Sequence, residues 1–165
     1  MPQYLALGRL PKKRHTQLAV EPGFLGEGLY YEEVITTAGF SRAYSILYHL
    51  RPPTRVRKIE PAGEAPIEYA SELPLRHVHL KTKQLPAQGD PITGRVPLFG
   101  NTDVIISRCR PSTPQQELYR NASADEIIFL HSGAGALYSA FGKLPLKPYD
   151  YVVIPKTTTY RLEFD

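Results

Sequence analysis

Apolar and polar positions along this chain change over in short runs, and proline or glycine interrupts nearly every run before a helical period can develop. In residues 40–50, Tyr44, Ile46 and Tyr48 alternate with Ala43, Ser45 and Leu47, the two-residue period of a strand. Residues 29–37 form a similar aromatic and β-branched run, and Thr37-Ala38-Gly39 between the two predicts a hairpin. Pro52-Pro53 ends the second run, because proline has no amide donor and restricts the residue before it. Residues 51–74 then hold five prolines and few periodic apolar positions, which predicts a long irregular excursion. Strand character returns at 76–85 and gives way to loop and turn over 83–101, around Gly89-Asp90-Pro91 and Gly94. Five further strands are predicted, at about 103–108, 126–131, 136–141, 151–155 and 158–164. Residues 1–28 carry one short apolar stretch, Tyr4-Leu5-Ala6-Leu7, and otherwise read as a basic, glycine-rich arm that packs on the body or reaches a neighbouring subunit.

Composition agrees with a β-rich globular chain. Apolar residues make up 42%, and sixteen prolines in 165 residues are about twice the usual ~5%, which disfavours long helices. Cys109 is the single cysteine, so no internal disulfide forms, and it reads as a small buried side chain in a strand. No apolar run approaches the ~20 residues of a membrane helix, and the Met1-Pro2-Gln3 start lacks the features of a signal peptide. These observations lead to an expectation of a cytoplasmic protein with no membrane partner. The net charge of +4 is modest. The basic clusters Lys12-Lys13-Arg14-His15 and residues 51–58, with Tyr30, Tyr31, Tyr44 and Tyr48 in the flanking sequence, do not form the dense stripe of a nucleic-acid surface.

The most informative stretch is residues 119–165. Glu126 is followed after six residues by Gly133, and the run Tyr151-Val152-Val153-Ile154-Pro155-Lys156-Thr157-Thr158-Thr159-Tyr160 comes later. This spacing resembles the paired metal-binding strands of cupins. There, two histidines one residue apart precede a glutamate, and a Pro-x-Gly strand carries a third histidine. Here Tyr119 and Asn121, or Arg120 and Ala122, stand where the paired histidines belong. Pro155 is kept, Thr157 replaces the glycine and Tyr160 replaces the third histidine. One glutamate does not hold a first-row metal ion, which needs several imidazole or carboxylate ligands. Glu126 is therefore expected to pair with a nearby Arg or Lys.

A wider likeness carries the order of the chain from about residue 30 onward. Asn101-Thr102-Asp103-Val104, Tyr119-Arg120-Asn121-Ala122 with Asp125-Glu126, Phe141-Gly142-Lys143-Leu144-Pro145, residues 150–155, and upstream residues 39–49 with Arg51-Pro52-Pro53-Thr54 together resemble the N-terminal part of the homogentisate 1,2-dioxygenase family. That resemblance implies a bicupin that uses non-haem Fe(II) and O2 to open the ring of homogentisate, an aromatic acid, to maleylacetoacetate in tyrosine and phenylalanine catabolism. It also implies homo-oligomers, trimers or hexamers. The family's iron ligands lie in a C-terminal cupin, so no catalytic residue and no metal ligand is carried onto a position of this chain. Fe(II) is expected in the intact family enzyme and not on these residues, with the C-terminal cupin of the same polypeptide as a partner.

Outside that frame the candidates are sparse. His77 and His79 have the spacing of two ligands on one strand face, but Lys81 and Lys83 continue that face, with Val78 and Leu80 inward. His131 reads as a structural, hydrogen-bonded histidine beside a glycine turn. Asp125 and Glu126 are adjacent and point oppositely in a strand, which makes them poor candidates for a paired-carboxylate mechanism. His49 with Arg51 would suit an aromatic-acid pocket. Gly133-Ala134-Gly135 is not followed by a helix and is no phosphate loop.

The fold expected is all-β, a cupin-like jelly roll or β-sandwich, mostly antiparallel, with an irregular N-terminal region. Residues 1–100 would supply the arm, hairpin and Pro-rich loop that complete the sheets. Residues 101–165 would be cupin-like strands lacking metal ligands and continuing beyond Asp165, the whole forming one domain. The functional alternative is a stand-alone, metal-free cupin-like module that binds a small molecule or another protein.

Overall fold

In the computed structural model, residues 29–36, 38–41, 44–61, 67 and 76–165 are described. The arm at 1–28, with its basic cluster at Lys12, lies outside them. The predicted hairpin is present. Strand β1 (Tyr31–Ile35) pairs antiparallel with β2 (Ser45–His49), in a register running from Tyr31 opposite His49 to Ile35 opposite Ser45. Thr36 shapes the start of its connection, its hydroxyl accepting from the Ala38 N–H and donating to the Gly39 carbonyl.

The strand predicted at 76–85 does not form. Residues 76–81 have no regular structure and end in a 3-10 turn at Thr82–Gln84, while Val78 and Leu80 stay 53% and 41% exposed. Alternation makes a strand only where a neighbour supplies the ladder, and none is found among the described residues. The turn is instead held by Arg110, whose Nη1 donates to the carbonyls of Lys83 and Leu85 at 3.1 and 2.7 Å.

The opposite departure follows. The stretch read as loop contains β3 (Arg95–Gly100), which pairs antiparallel with β4 (Ile105–Cys109). Pro97 sits at a register shift between Pro97 and Phe99, the kind of irregularity at which a strand tolerates proline. Asp90 sets the turn into β3: its Oδ1 accepts from the amides of Ile92 and Thr93 at 2.7 and 2.8 Å.

The remaining strands build a sandwich. They are β5 (Tyr119–Arg120), β6 (Glu126–Phe129), β7 (Gly135–Ser139), β8 (Gly142–Leu146), β9 (Tyr151–Ile154) and β10 (Thr159–Phe164). One sheet has the order β5-β10-β7-β8 and the other is the pair β6-β9, all antiparallel. The chain thus has the expected all-β, cupin-like sandwich, with β5 and β8 added to the strands foreseen. The hairpins β1-β2 and β3-β4 pair within themselves, so among the described residues no N-terminal strand joins either sandwich sheet by hydrogen bonds.

Leu137 of β7, Val152 and Ile154 of β9, and Tyr160 and Leu162 of β10 project between the sheets with Leu130 and Leu146 to form the core. Burying each contributes about 1.5–3 kcal/mol. Gln115 extends the ladder beyond the short β5: its Oε1 accepts from Leu162 N at 2.9 Å, and its Nε2 donates to the Glu117 carbonyl at 2.8 Å and to Tyr160 O at 3.4 Å. Two glycines of the motif region have distinct reasons. Gly133 turns the chain with φ +84, whereas a Cβ on Gly135 would meet the Glu163 carbonyl oxygen at 2.1 Å. Thr157, which occupies the cupin glycine position, adopts φ 71, a left-handed conformation that a β-branched residue resists.

Candidate functional site

The inward face of β6 carries Glu126, opposite Ile154 of β9. From the facing sheet, Tyr160 of β10 and its register partner Tyr119 of β5 point toward the same space. These are the positions of the cupin glutamate and two of the cupin histidines, so the frame read from spacing does converge in space. What fills its centre is Arg95, at the first position of β3. Its Nη1 donates to Glu126 Oε1 at 2.5 Å, its Nη2 to the Tyr160 hydroxyl at 2.9 Å, and its Nε to the Pro91 carbonyl at 3.0 Å. The Tyr160 hydroxyl in turn donates to Glu126 Oε2 at 2.6 Å. Tyr119 closes one side, its ring 5.5 Å from the guanidinium and edge-on to Tyr160 at 5.7 Å.

The electrostatics follow from burial. Glu126 is 12% and Arg95 26% exposed in their side chains. Burial alone would pull the Arg95 guanidinium down, but the Tyr160 oxygen and the Glu126 carboxylate outweigh it and raise it above its ordinary value. Tyr160, with no exposed surface, is pushed well up, first by burial and then by its bond to Glu126, while Arg95 opposes. Arg95 stays charged and Tyr160 stays protonated through the physiological range, so neither is poised for proton transfer. Both carboxylate oxygens are engaged and the charge within the glutamate's reach is already balanced. The residues present do not fit a metal: two phenols and one neutralised carboxylate do not make a first-row site. Among the described residues, no group of three or more His, Cys, Asp or Glu side chains could hold a metal ion.

The paired-histidine positions divide further. Tyr119 faces the cluster, while Asn121 folds its Oδ1 onto the amides of Ser123 and Ala124 at 3.0 Å each. Arg120 donates from Nε to the Thr159 hydroxyl at 2.6 Å. Asp125 points away from Glu126 and accepts from Lys156 N at 2.8 Å, as strand alternation predicts. Cys109 is half-buried near the Asp90 and Pro91 carbonyls, and burial pushes its thiol up, which suppresses the thiolate.

His77 and His79 are exposed on irregular chain, so the strand geometry that would aim both at one ion is absent. His131 is exposed beside the glycine turn and packs edge-on to Phe129 at 6.4 Å, a ring contact in place of the structural hydrogen bond expected. His49 bonds Glu33 at 2.8 Å across the hairpin, and Arg51 is exposed; a carboxylate beside the imidazole disfavours an acidic ligand there. Residues 51–61 are exposed and largely irregular, with Lys58 paired to Glu60.

A second feature is a cavity of about 420 Å³ on the flank of the sandwich. It is open on one side and lined by Ile35 and Tyr44 of the hairpin segment, by Leu137, Leu144 and Val152 of the sandwich, and by Lys156. Sequence reasoning missed this cavity, since it depends on how the hairpin lies over the sheets. Arg95 was missed too: its strand contains proline and its partners are 31 and 65 residues away.

No protein-family model matches the chain. The chain is 40% identical over 163 residues to a protein of Saccharolobus solfataricus named "Putative dioxygenase", an alignment covering 98% of this chain and 41% of that protein. The chain therefore spans about two fifths of the length of the curated relative it matches. No helix among the described residues is long and apolar enough to cross a membrane.

Proposed function

We propose that this chain is the metal-free, cupin-like scaffold unit of a dioxygenase-type bicupin. The observation that carries this reading is Arg95 seated on Glu126 and Tyr160: the cupin ligand frame is retained in space, and an internal cation occupies its centre. The likeness to a protein named as a dioxygenase supports the class. The resemblance to the homogentisate 1,2-dioxygenases supports the finer reading of Fe(II)/O2 ring opening of homogentisate. In that reading the iron and the aromatic acid bind to a C-terminal cupin of the same polypeptide. The residues described here support that domain and contribute to subunit contacts in a cytoplasmic oligomer.

The test is oxygen uptake on adding homogentisate to the purified chain after anaerobic Fe(II) loading, with iron measured after desalting. The expected result is no uptake and no retained iron, while the longer polypeptide containing this stretch shows both. Near-stoichiometric iron on the 165-residue chain would overturn the scaffold reading, and a longer polypeptide inert to homogentisate would overturn the substrate.

The cavity favours one second reading, a module that binds a small apolar molecule. Its volume lies within the ~300–1,000 Å³ of ligand pockets. Saturable binding of a hydrophobic dye that Leu144→Arg abolishes, in a chain without oxygenase activity in any longer context, would favour that module.

A further inference from the structure

Apart from the inward Glu126, the paired strands β6 and β9 are apolar on both faces. Ile128, Val152 and Ile154 turn into the sandwich, while Ile127, Phe129, Tyr151 and Val153 turn outward, 69%, 43%, 71% and 64% exposed. The outward four form two directly opposed cross-strand pairs, Ile127 with Val153 and Phe129 with Tyr151. Tyr149, 72% exposed, extends the face, with its ring 6.4 Å from Phe129, and Tyr151 packs on Phe129 at 4.7 Å. Strands that are apolar on both sides are characteristic of sheets covered on both sides. By the usual sizes of these side chains, the exposed surface of the five residues is on the order of 700 Å², above the ~300–600 Å² of an ordinary monomer's largest patch.

Tyr149 adds an independent sign. It has φ 74, a strained conformation for a non-glycine residue, at a turn pinned on both sides by Tyr149 N to the Leu130 carbonyl at 2.6 Å and Leu130 N to the Asp150 carbonyl at 3.0 Å. An exposed aromatic held at such a cost reads as a functional feature.

We infer that the outer face of β6-β9 is the contact surface between two copies of this chain, packed sheet on sheet. Three features favour a second copy. The five residues carry no charge, so the face does not repel its own kind, as a charged patch would; the exposed His131, edge-on to Phe129, borders it. At its ends the carboxylates of Asp125 and Asp150 accept from the backbone amides of Lys156 and Lys147, giving a polar rim around an apolar centre. Two such faces together would bury on the order of 1,400 Å², within the ~1,200–2,000 Å² of specific interfaces. This inference rests on the subunit contacts of the scaffold reading, to which it assigns a surface, and does not depend on the identity of any substrate.

Sedimentation velocity on the full 165-residue chain, from about 1 to about 100 µM, tests it. The wild-type chain is expected to dimerise. Tyr151→Lys and Val153→Lys, both on outward positions, should each weaken the dimer by more than about thirtyfold with an unchanged circular dichroism spectrum. If a lysine variant fails to fold, Val153→Thr, nearly the same shape, should weaken the dimer with the fold intact. A wild-type chain that stays monomeric across the range overturns the inference and leaves the face to a different domain. An oligomer that these substitutions leave unchanged overturns it too.

Discussion

Replacing Arg95 with methionine keeps most of the side-chain volume and removes the cation from the cupin frame. Glu126 then retains the Tyr160 hydroxyl and loses its charge partner, in a site where its own side chain is 12% exposed. Removing one partner of a fully buried pair costs about 3–5 kcal/mol. Arg95 is itself 26% exposed, so solvent reaches the site and the expected loss is smaller, about 2–3 kcal/mol. At about 2–4 °C per kcal/mol for a domain of this size, the melting midpoint should fall by roughly 5–10 °C. The assay is differential scanning calorimetry of the wild type, Arg95→Met, Glu126→Gln and the double variant. Because the single variants leave a buried polar group unpaired, the double variant should lose less than the two singles combined. Arg95→Ala adds a second readout. Millimolar guanidinium ion, far below denaturing strength, should raise its midpoint by refilling the space, whereas ammonium should not. An Arg95→Met midpoint within about 1 °C of wild type would place the pair with surface salt bridges worth little and would sink the counterion argument.

Thr157→Gly relieves a left-handed β-branched residue and should stabilise the chain by about 1 kcal/mol, read as a raised denaturation midpoint; a lowered midpoint refutes the strain. For Asp90, burial alone would raise the carboxyl, but the Thr93 and Ile92 amides, the Thr93 hydroxyl and Arg95 hold it below its ordinary value. Its folded value is thus depressed, so its contribution to stability is present above the unfolded value and is lost as pH falls through the folded one. Asp90→Asn should flatten the acid limb of a stability-versus-pH curve, and an unchanged limb would contradict this. Tyr160 has a raised folded value, so its contribution is complete below the ordinary tyrosine value of 10.0 and is lost as pH rises above it. Ultraviolet titration of the native chain should leave one tyrosine un-ionised until alkaline unfolding, and Tyr160→Phe should remove that late step.

Several elements were legible from local pattern alone. The hairpin β1-β2 and the strand at 151–154 follow from apolar β-branched and aromatic runs and turn residues, whose cause lies within a few positions of the chain, but which face of Tyr151-Val152-Val153-Ile154 turns inward does not, because all four are apolar. Local pattern also parts Asp125 and Glu126 to opposite faces, because strand side chains alternate. Strand β3 was hidden because Pro97 reads as a loop signal, and its tolerance there depends on a bulge opposite β4. The segment holding His77 and His79 erred the other way: its alternation promised a strand, but no neighbour among the described residues completes one.

The sequence led to an all-β chain and, through its likeness to cupins, to a ligand frame holding Glu126 and Tyr160 with no histidine at the metal-ligand positions, while leaving open whether Tyr119 or Arg120 stands at the first of them; the structure selects Tyr119. The sequence also anticipated that Glu126 would need a basic partner. Tertiary structure decided that the partner is Arg95, which sits 31 residues from Glu126 and 65 from Tyr160. It also decided that an aromatic face of β6-β9 stays uncovered in the single chain. The division has one physical cause. Strand period and turn chemistry are local properties of neighbouring residues, whereas a counterion and a covered face depend on which distant segments the packing of two sheets brings together.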